Sequence, residues 1–154
     1  GAVFTLDTAQ IGGVDSTVRK TEVYMEADSK LYVMEKLMTH DSQTAVSDMT
    51  VEMNGAGSSA QIVSRSVAKG NSVQTFHPIA IGNALCHAHV QCDSIIMDKA
   101  QISSIPEINA RDIDAQIIHE AAIGRINNEQ ILKLRTFGMT EEEAEAVIIE
   151  DFLA

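Results

Sequence analysis

The chain has 154 residues, enough for one domain with a substantial core, and 45% of them are hydrophobic. Its 22 acidic residues outnumber its 11 basic ones, and a net charge of −11 argues against binding to nucleic acid or to an anionic membrane, since both need clustered Lys and Arg. No apolar run approaches the roughly 18 residues of a membrane span, and no leader pattern of a basic segment followed by an apolar one is visible.

Short apolar or β-branched segments recur along most of the chain and predict strands. Apolar and polar residues alternate only weakly over residues 1–30, where Gly12 and Gly13 mark a turn. It is steadier afterwards, and the predicted strands cover residues 31–38, 44–53, 61–68, 72–81, 85–91, 93–97, 100–105 and 115–118. Segments rich in Gly, Asn, Asp and Ser separate these strands and are typical of turns.

Many short strands at near-regular spacing are typical of a β-sandwich, a barrel or a β-solenoid. Three features favour the solenoid. Aromatic residues make up only 4% of the chain, small residues are spread through the strands, and Asn, Gln and Ser recur where stacked coils could align them in ladders. No strict repeat is visible, so periodicity alone leaves the three architectures open.

The last part of the chain predicts two helices, over about residues 126–137 and 140–153. Asn127 or Asn128 can cap the first helix, and Gly138 suits the position after its end. Thr140 and Glu143 have the spacing of a capping box for the second. The acidic residues of the second helix are typical of a solvated face.

Three residues in the last strand segments could take part in metal chemistry: Cys92, His119 and Glu120. Thiolate is the ligand that iron–sulfur clusters prefer, and imidazole and carboxylate also bind iron. Taken singly, each of the three is more often a buried small residue or part of a surface turn. They become candidates because they occur together, in this order, just before two capped helices.

The other cysteine and the remaining histidines give weaker signals. Cys86 is expected in the core, and two cysteines do not make a disulfide framework, which favours a reducing cytoplasm. His87 and His89 point to one face of a strand and form a weak metal-binding pattern. His40, in a turn, and His77, before Pro78, give no signal of a metal or catalytic site. Neither a phosphate-binding Gly-rich loop nor a Gly-x-Ser-x-Gly motif is present, so the chain is not expected to be an enzyme.

Several motifs together resemble the end of the SufB/SufD family, the scaffold proteins of iron–sulfur cluster assembly, and SufB more closely. They are Cys92-Asp93-Ser94, Pro106-Glu107-Ile108, His119-Glu120-Ala121, Gly124-Arg125-Ile126, and the capping box that follows Met139. The resemblance is specific over residues 85–153 and diffuse over 31–84.

The resemblance implies a right-handed parallel β-helix over residues 1–122 and a helical subdomain over 123–154. In this family two scaffolds pair through their β-helices, as a homodimer or with a SufB/SufD-type partner, and the helices bind SufC, an ABC-type ATPase. By residue match, Cys92, His119 and Glu120 correspond to residues implicated in building the cluster. The cluster is expected to be transient, shared with a partner chain and absent from the isolated protein.

Three departures and two alternatives accompany this resemblance. Family members are usually longer, the segment from Cys92 to His119 is about one residue shorter than in typical SufB, and Met97 replaces a common glycine. One thiol beside few other ligands cannot hold a cluster alone, since a [4Fe–4S] cluster takes about four thiolates or substitutes.

A SufD-like partner that binds no cluster is one alternative. A β-solenoid acyltransferase is disfavoured, because its hexapeptide repeat is missing.

Overall fold

The computed structural model describes all 154 residues as two parallel β-sheets and two C-terminal helices. The strands are β1 Val3–Ile11, β2 Ser16–Met25, β3 Lys30–Thr39, β4 Thr44–Met53, β5 Ser58–Ala68, β6 Val73–Gly82, β7 Cys86–Ile96, β8 Gln101–Ser104, β9 Glu107–Ala110 and β10 Ala115–Gly124. The helices are α1 Asn128–Thr136 and α2 Glu141–Leu153.

The strands alternate between the two sheets, as the winding of a solenoid requires. The first sheet has the order β1-β3-β5-β7-β10, and the second has the order β2-β4-β6-β8, with β9 also paired to β6. Every pairing is parallel. The chain therefore forms a β-solenoid of about four turns, which confirms the expected β-helix with two terminal helices.

Inside the solenoid, alternate side chains from both sheets form one continuous core. Its centre contains fully or almost fully buried residues such as Val51, Met53, Ile62 and Ala88. Pro78 and Pro106 lie in the second sheet where the pairing of β6 passes from β8 to β9. Proline cannot donate a ladder hydrogen bond, which explains the interruption and the short strands there.

Side-chain ladders connect equivalent positions of successive turns. Ser66 and Ser94 have their hydroxyl oxygens 2.8 Å apart inside the solenoid, and the Asn83 amide donates to Asn54 Oδ1 over 2.7 Å at a corner. At another corner Gly70 has φ +66°, and a Cβ there would lie 3.0 Å from the backbone of Asp41 in the preceding turn. Stacked coils thus satisfy polar groups but leave little space where their turns touch.

Helix α2 packs on the outer face of the first sheet, and α1 contacts α2. Val67, Met97 and Ile149 form a small second core between α2 and that face. The Thr140–Glu143 capping box is present, and Asn127 caps α1, as expected. The helix bounds differ from the predicted ones by one or two residues. No helix is long and apolar enough to cross a membrane.

The strands differ from the predicted ones in several places. Residues 1–30 form two full strands, and the last strand, predicted over 115–118, continues to Gly124 and so includes His119 and Glu120. The segments 85–91 and 93–97 form one strand, β7, because its inward positions continue without a break through Cys92 and Ser94. Cys92 therefore lies within a strand and not at its start. Strand β9 was not predicted, since four residues after a proline give too short a pattern.

Gly55 provides a test of the tight stacking of turns. A Cβ at Gly55 would overlap the backbone of Glu26 and Ala27 in the preceding turn, whereas nothing lies within 4 Å of a Cβ at Gly124. We expect Gly55→Ala to lower the free energy of unfolding by about 1–3 kcal/mol, the usual cost of overpacking. Gly124→Ala should change it by less than about 0.5 kcal/mol in the same urea titration. Equal effects would show that the turns can separate at no cost.

Candidate functional site

Strands β7 and β10 bring Cys92 and His119 together. The two strands pair in parallel, with His119 opposite Val90 and Ala121 opposite Cys92. Because alternate residues of a strand share a face, Cys92 and His119 both point into the solenoid from neighbouring rows. Cys92 Sγ lies 3.5 Å from His119 Nε2, which is within hydrogen-bonding distance for sulfur.

The Cys92 thiol faces a narrow polar chamber inside the solenoid. Cys92 is 3% exposed, and the chamber, of about 10 Å³, is lined largely by hydroxyl-bearing side chains. Ser64 and Glu35 continue the same row of the sheet, one and two turns before Cys92. Ser104 faces the chamber from the second sheet. The volume is close to the minimum that holds one water molecule.

Glu35 is a buried acid that the sequence analysis did not single out. Its carboxylate is 3% exposed, accepts a hydrogen bond from Ser47 over 2.9 Å, and lies 3.3 Å from the Arg19 guanidinium. A signal was present in the sequence. Leu31, Val33 and Leu37 alternate in β3, and Glu35 occupies the inward position between them. An acid at a predicted core position marks a polar feature of the interior.

Burial sets the protonation of both central residues. Burial, with smaller contributions from the charges of Asp93 and Glu35, raises the pKa of the Cys92 thiol to about 11. Ser104 offsets part of this rise, although its hydroxyl makes no hydrogen bond of regular geometry. Burial also lowers the pKa of His119 below its usual 6.5. At neutral pH the pair is a thiol beside a neutral imidazole.

The structure does not bring Glu120 to this pair. Glu120 follows His119 directly, so its side chain lies on the opposite, outer face of β10. There its carboxylate oxygen Oε2 lies 3.1 Å from His89 Nε2. Glu120 was expected beside Cys92 and His119, but the strand places it on the opposite face.

The remaining candidates lie apart from the Cys92–His119 pair. Cys86 belongs to the hydrophobic core, as expected. His87 lies with His89 on the outer face, His40 lies beside Asp41, and His77 lies between two carboxylates. No group of three or more His, Cys, Asp and Glu side chains is arranged to hold a metal ion.

The Cys92–His119 pair has the donor atoms to contribute ligands to a metal. Neutral imidazole is the form that binds metals, whereas a thiol must lose its proton when a metal binds. One thiol and one imidazole make two donors, and an iron–sulfur cluster takes about four. The two donors are therefore too few to hold such a cluster by themselves.

The chain matches a family model over residues 1–152, and that model describes the SufBD core domain of the SUF system of iron–sulfur cluster assembly. The chain belongs to this family.

Curated SufBD relatives agree with the match. A SufBD family protein of Methanocaldococcus jannaschii is 29% identical over 154 residues, which covers 97% of this chain and 47% of the relative. One from Methanothermobacter thermautotrophicus is 34% identical over 106 residues, 68% of this chain and 26% of the relative. One from Archaeoglobus fulgidus is 29% identical over 136 residues, which covers 84% of this chain and 36% of the relative. The chain thus spans less than half the length of these SufBD proteins.

The pKa of Cys92 predicts slow alkylation of its thiol at neutral pH. Only the thiolate reacts readily, so the rate of iodoacetamide labelling at Cys92 should rise with pH until about pH 11. In the chain unfolded in urea, labelling should level off near the ordinary cysteine pKa of about 8.5. Peptide mass spectrometry separates Cys92 from Cys86. Equal pH profiles for the folded and unfolded chains would contradict the predicted protonation state.

Proposed function

We propose that this chain is a scaffold for iron–sulfur cluster assembly, in which Cys92 and His119 supply its share of the ligands to a nascent cluster. The observation that carries the proposal is the 3.5 Å separation of Cys92 Sγ and His119 Nε2. A soft sulfur donor beside a neutral imidazole is the donor chemistry that iron accepts. Family membership over residues 1–152 supports the same role.

A second chain is needed to complete the ligand set, and the end of the solenoid is where it would bind. Strand β10 pairs only with β7, so its other edge is unpaired within this chain. Ala121 faces inward yet is exposed, and Ile105, Ile108 and Ile113 are exposed apolar residues in the same last turn. We propose pairing here, either with a second copy or with a SufB/SufD-type partner.

Within this proposal each residue has a distinct task. Cys92 gives up its proton as iron binds, and the neutral His119 imidazole binds iron without losing a proton. The burial that raises the pKa of Cys92 also protects the thiol from solvent oxidants. Glu120 is the third proposed ligand. It lies on the outer face, and it would have to leave His89 to join the other two.

The two C-terminal helices are proposed to dock an ABC-type ATPase of the SufC kind. Helix α1 has no buried residue, and in α2 only Ala144 and Ile149 are buried. Leu132 and Phe137 are 59% and 75% exposed on this pair of helices. Apolar residues exposed on well-capped helices are suited to packing against a partner protein.

A SufD-like role without a cluster is the second candidate. The observation in its favour is the pKa of Cys92, about 11, which keeps the thiol protonated at neutral pH in the chain alone. In that role the chain would retain the pairing and the ATPase dock, and Cys92 would serve only as a buried residue of the chamber.

Anaerobic reconstitution with iron and sulfide separates the two roles. For a cluster scaffold, the chain with its partner should develop sulfur-to-iron charge-transfer absorption. Cys92→Ser should remove this absorption and His119→Gln should weaken it, because each removes a donor. Cys86→Ser is the matched control, since Cys86 lies in the hydrophobic core away from the chamber. An unchanged spectrum in Cys92→Ser would favour the SufD-like role.

The docking proposal predicts loss of ATPase binding when the exposed apolar residues of the helices become charged. The double variant Leu132→Asp/Phe137→Asp should abolish co-purification with the ATPase, because it places two carboxylates in an apolar contact. Both side chains are exposed, so circular dichroism should show a normal fold. Val18→Asp, at a residue of β2 that is 74% exposed and belongs to neither proposed surface, is the control. Retained binding by the double variant would refute this dock.

A further inference from the structure

His87 and His89 form a pair on the outer face of the first sheet that the cluster proposal does not use. They are alternate residues of β7, so both imidazoles project away from the solenoid interior and from Cys92. Two residues of a strand span about 6.6 Å, a separation that two imidazole side chains can close by rotating toward each other. His87 is exposed, and the His89 side chain is 28% exposed, so both are open to solvent.

Glu120 fixes one of the two imidazoles. The Glu120 carboxylate reaches His89 across the strand pair, with Oε2 3.1 Å from Nε2. When a carboxylate accepts the proton of one ring nitrogen, the other nitrogen, here Nδ1, carries a free lone pair. Metal-binding histidines are commonly oriented by such a carboxylate on their second nitrogen.

The space beside the pair suits a hydrated ion. A groove of about 240 Å³ runs along β5, with Ser59 and Ala60 at its base. Tyr32 lines the groove from β3, and His87 and His89 line it from β7. Gln61, opposite His89, also lines the groove. The volume of the groove is several times the ~30 Å³ that one water molecule occupies, so there is room for water ligands around an ion held by two imidazoles.

We propose that His87 and His89 bind a divalent transition-metal ion on this outer face, with Glu120 as the positioning carboxylate and water completing the coordination. Imidazole nitrogen selects ions such as Zn²⁺ over Mg²⁺ or Ca²⁺, which prefer oxygen. The two imidazoles lie on the opposite face from Cys92 and His119, and the proposal does not depend on the cluster site. Glu120 is the one residue common to both proposals, and it can orient His89 only while it remains on the outer face. Since Glu120 belongs to β10, a bound ion would also strengthen the attachment of this edge strand to β7.

Zinc titration of the untagged chain tests the proposal. A Cys92→Ala background removes the thiol of the chamber, and a chromophoric chelator that competes for Zn²⁺ reports the affinity. We expect one Zn²⁺ per chain. His87→Gln and His89→Gln should each raise the Kd about tenfold or more, and Glu120→Gln should raise it roughly 10–100-fold through loss of orientation. His40→Gln and His77→Gln are matched controls and should leave the Kd unchanged.

A second measurement needs no substitution at the site. Co²⁺ added to the same background should shift the imidazole proton resonances of two histidines, assigned as His87 and His89, and leave those of His40 and His77 in place. An unchanged Kd in His87→Gln or His89→Gln would overturn the proposal. So would equal losses in the controls, or Co²⁺ shifts confined to other histidines.

Discussion

The constraint on which this structure depends is the parallel in-register stacking of equivalent residues in successive turns. Ser59, His87 and Gln116 occupy one such row, and Glu35, Ser64 and Cys92 occupy another. Each position therefore has a neighbour about 4.8 Å away on the next turn, whatever its distance in sequence. Core packing, polar ladders and the candidate site all follow from which residues share a row.

Stacking explains why a thiol with polar neighbours can lie in the interior of a β-solenoid. Most inward rows are apolar, but the rows around Cys92 contain Ser64, Ser66 and Ser94, and Glu35 lies at one end. These hydroxyls give buried polar groups partners from adjacent turns, as the 2.8 Å Ser66–Ser94 contact shows. Burial removes the water that would stabilise a thiolate at Cys92, and this loss raises the pKa of the thiol. A ligand cation is the kind of group that can reverse this effect, because it favours the thiolate.

The sequence was sufficient for the architecture because several independent signals agreed. The strand positions and the small residues favoured a β-solenoid without excluding a sandwich or a barrel, and the resemblance to the SufB/SufD family pointed to the solenoid. The two capped helices were readable directly, and Thr140 and Glu143 form the expected capping box. The exact strand bounds were not readable. Whether 85–91 and 93–97 are one strand depends on Cys92 and Ser94 facing inward, and that depends on the opposing sheet. Tertiary context decides such cases more than local preference does.

The candidate site was only partly predictable for the same reason. Cys92 and His119 are 27 residues apart, and only the register of β7 against β10 brings them to 3.5 Å. Adjacent residues such as His119 and Glu120 look like one ligand set in a sequence, yet in a strand they must face opposite ways. The inward position of Glu35 in β3 was readable from the alternation, but its partners Ser47 and Arg19 lie on other strands and only the fold brings them to it.

The opposite orientations of His119 and Glu120 give the last strand two separate surfaces. The inner surface presents His119 to Cys92, and the outer surface presents Glu120 to His89. Both contacts join β10 to β7, and β10 pairs with no other strand of its sheet. A change in the position of β10 would therefore alter both contacts together. Binding of a partner along the free edge of β10 and binding of an ion outside it are thus expected to be coupled through one strand, without any direct contact between the two ligands.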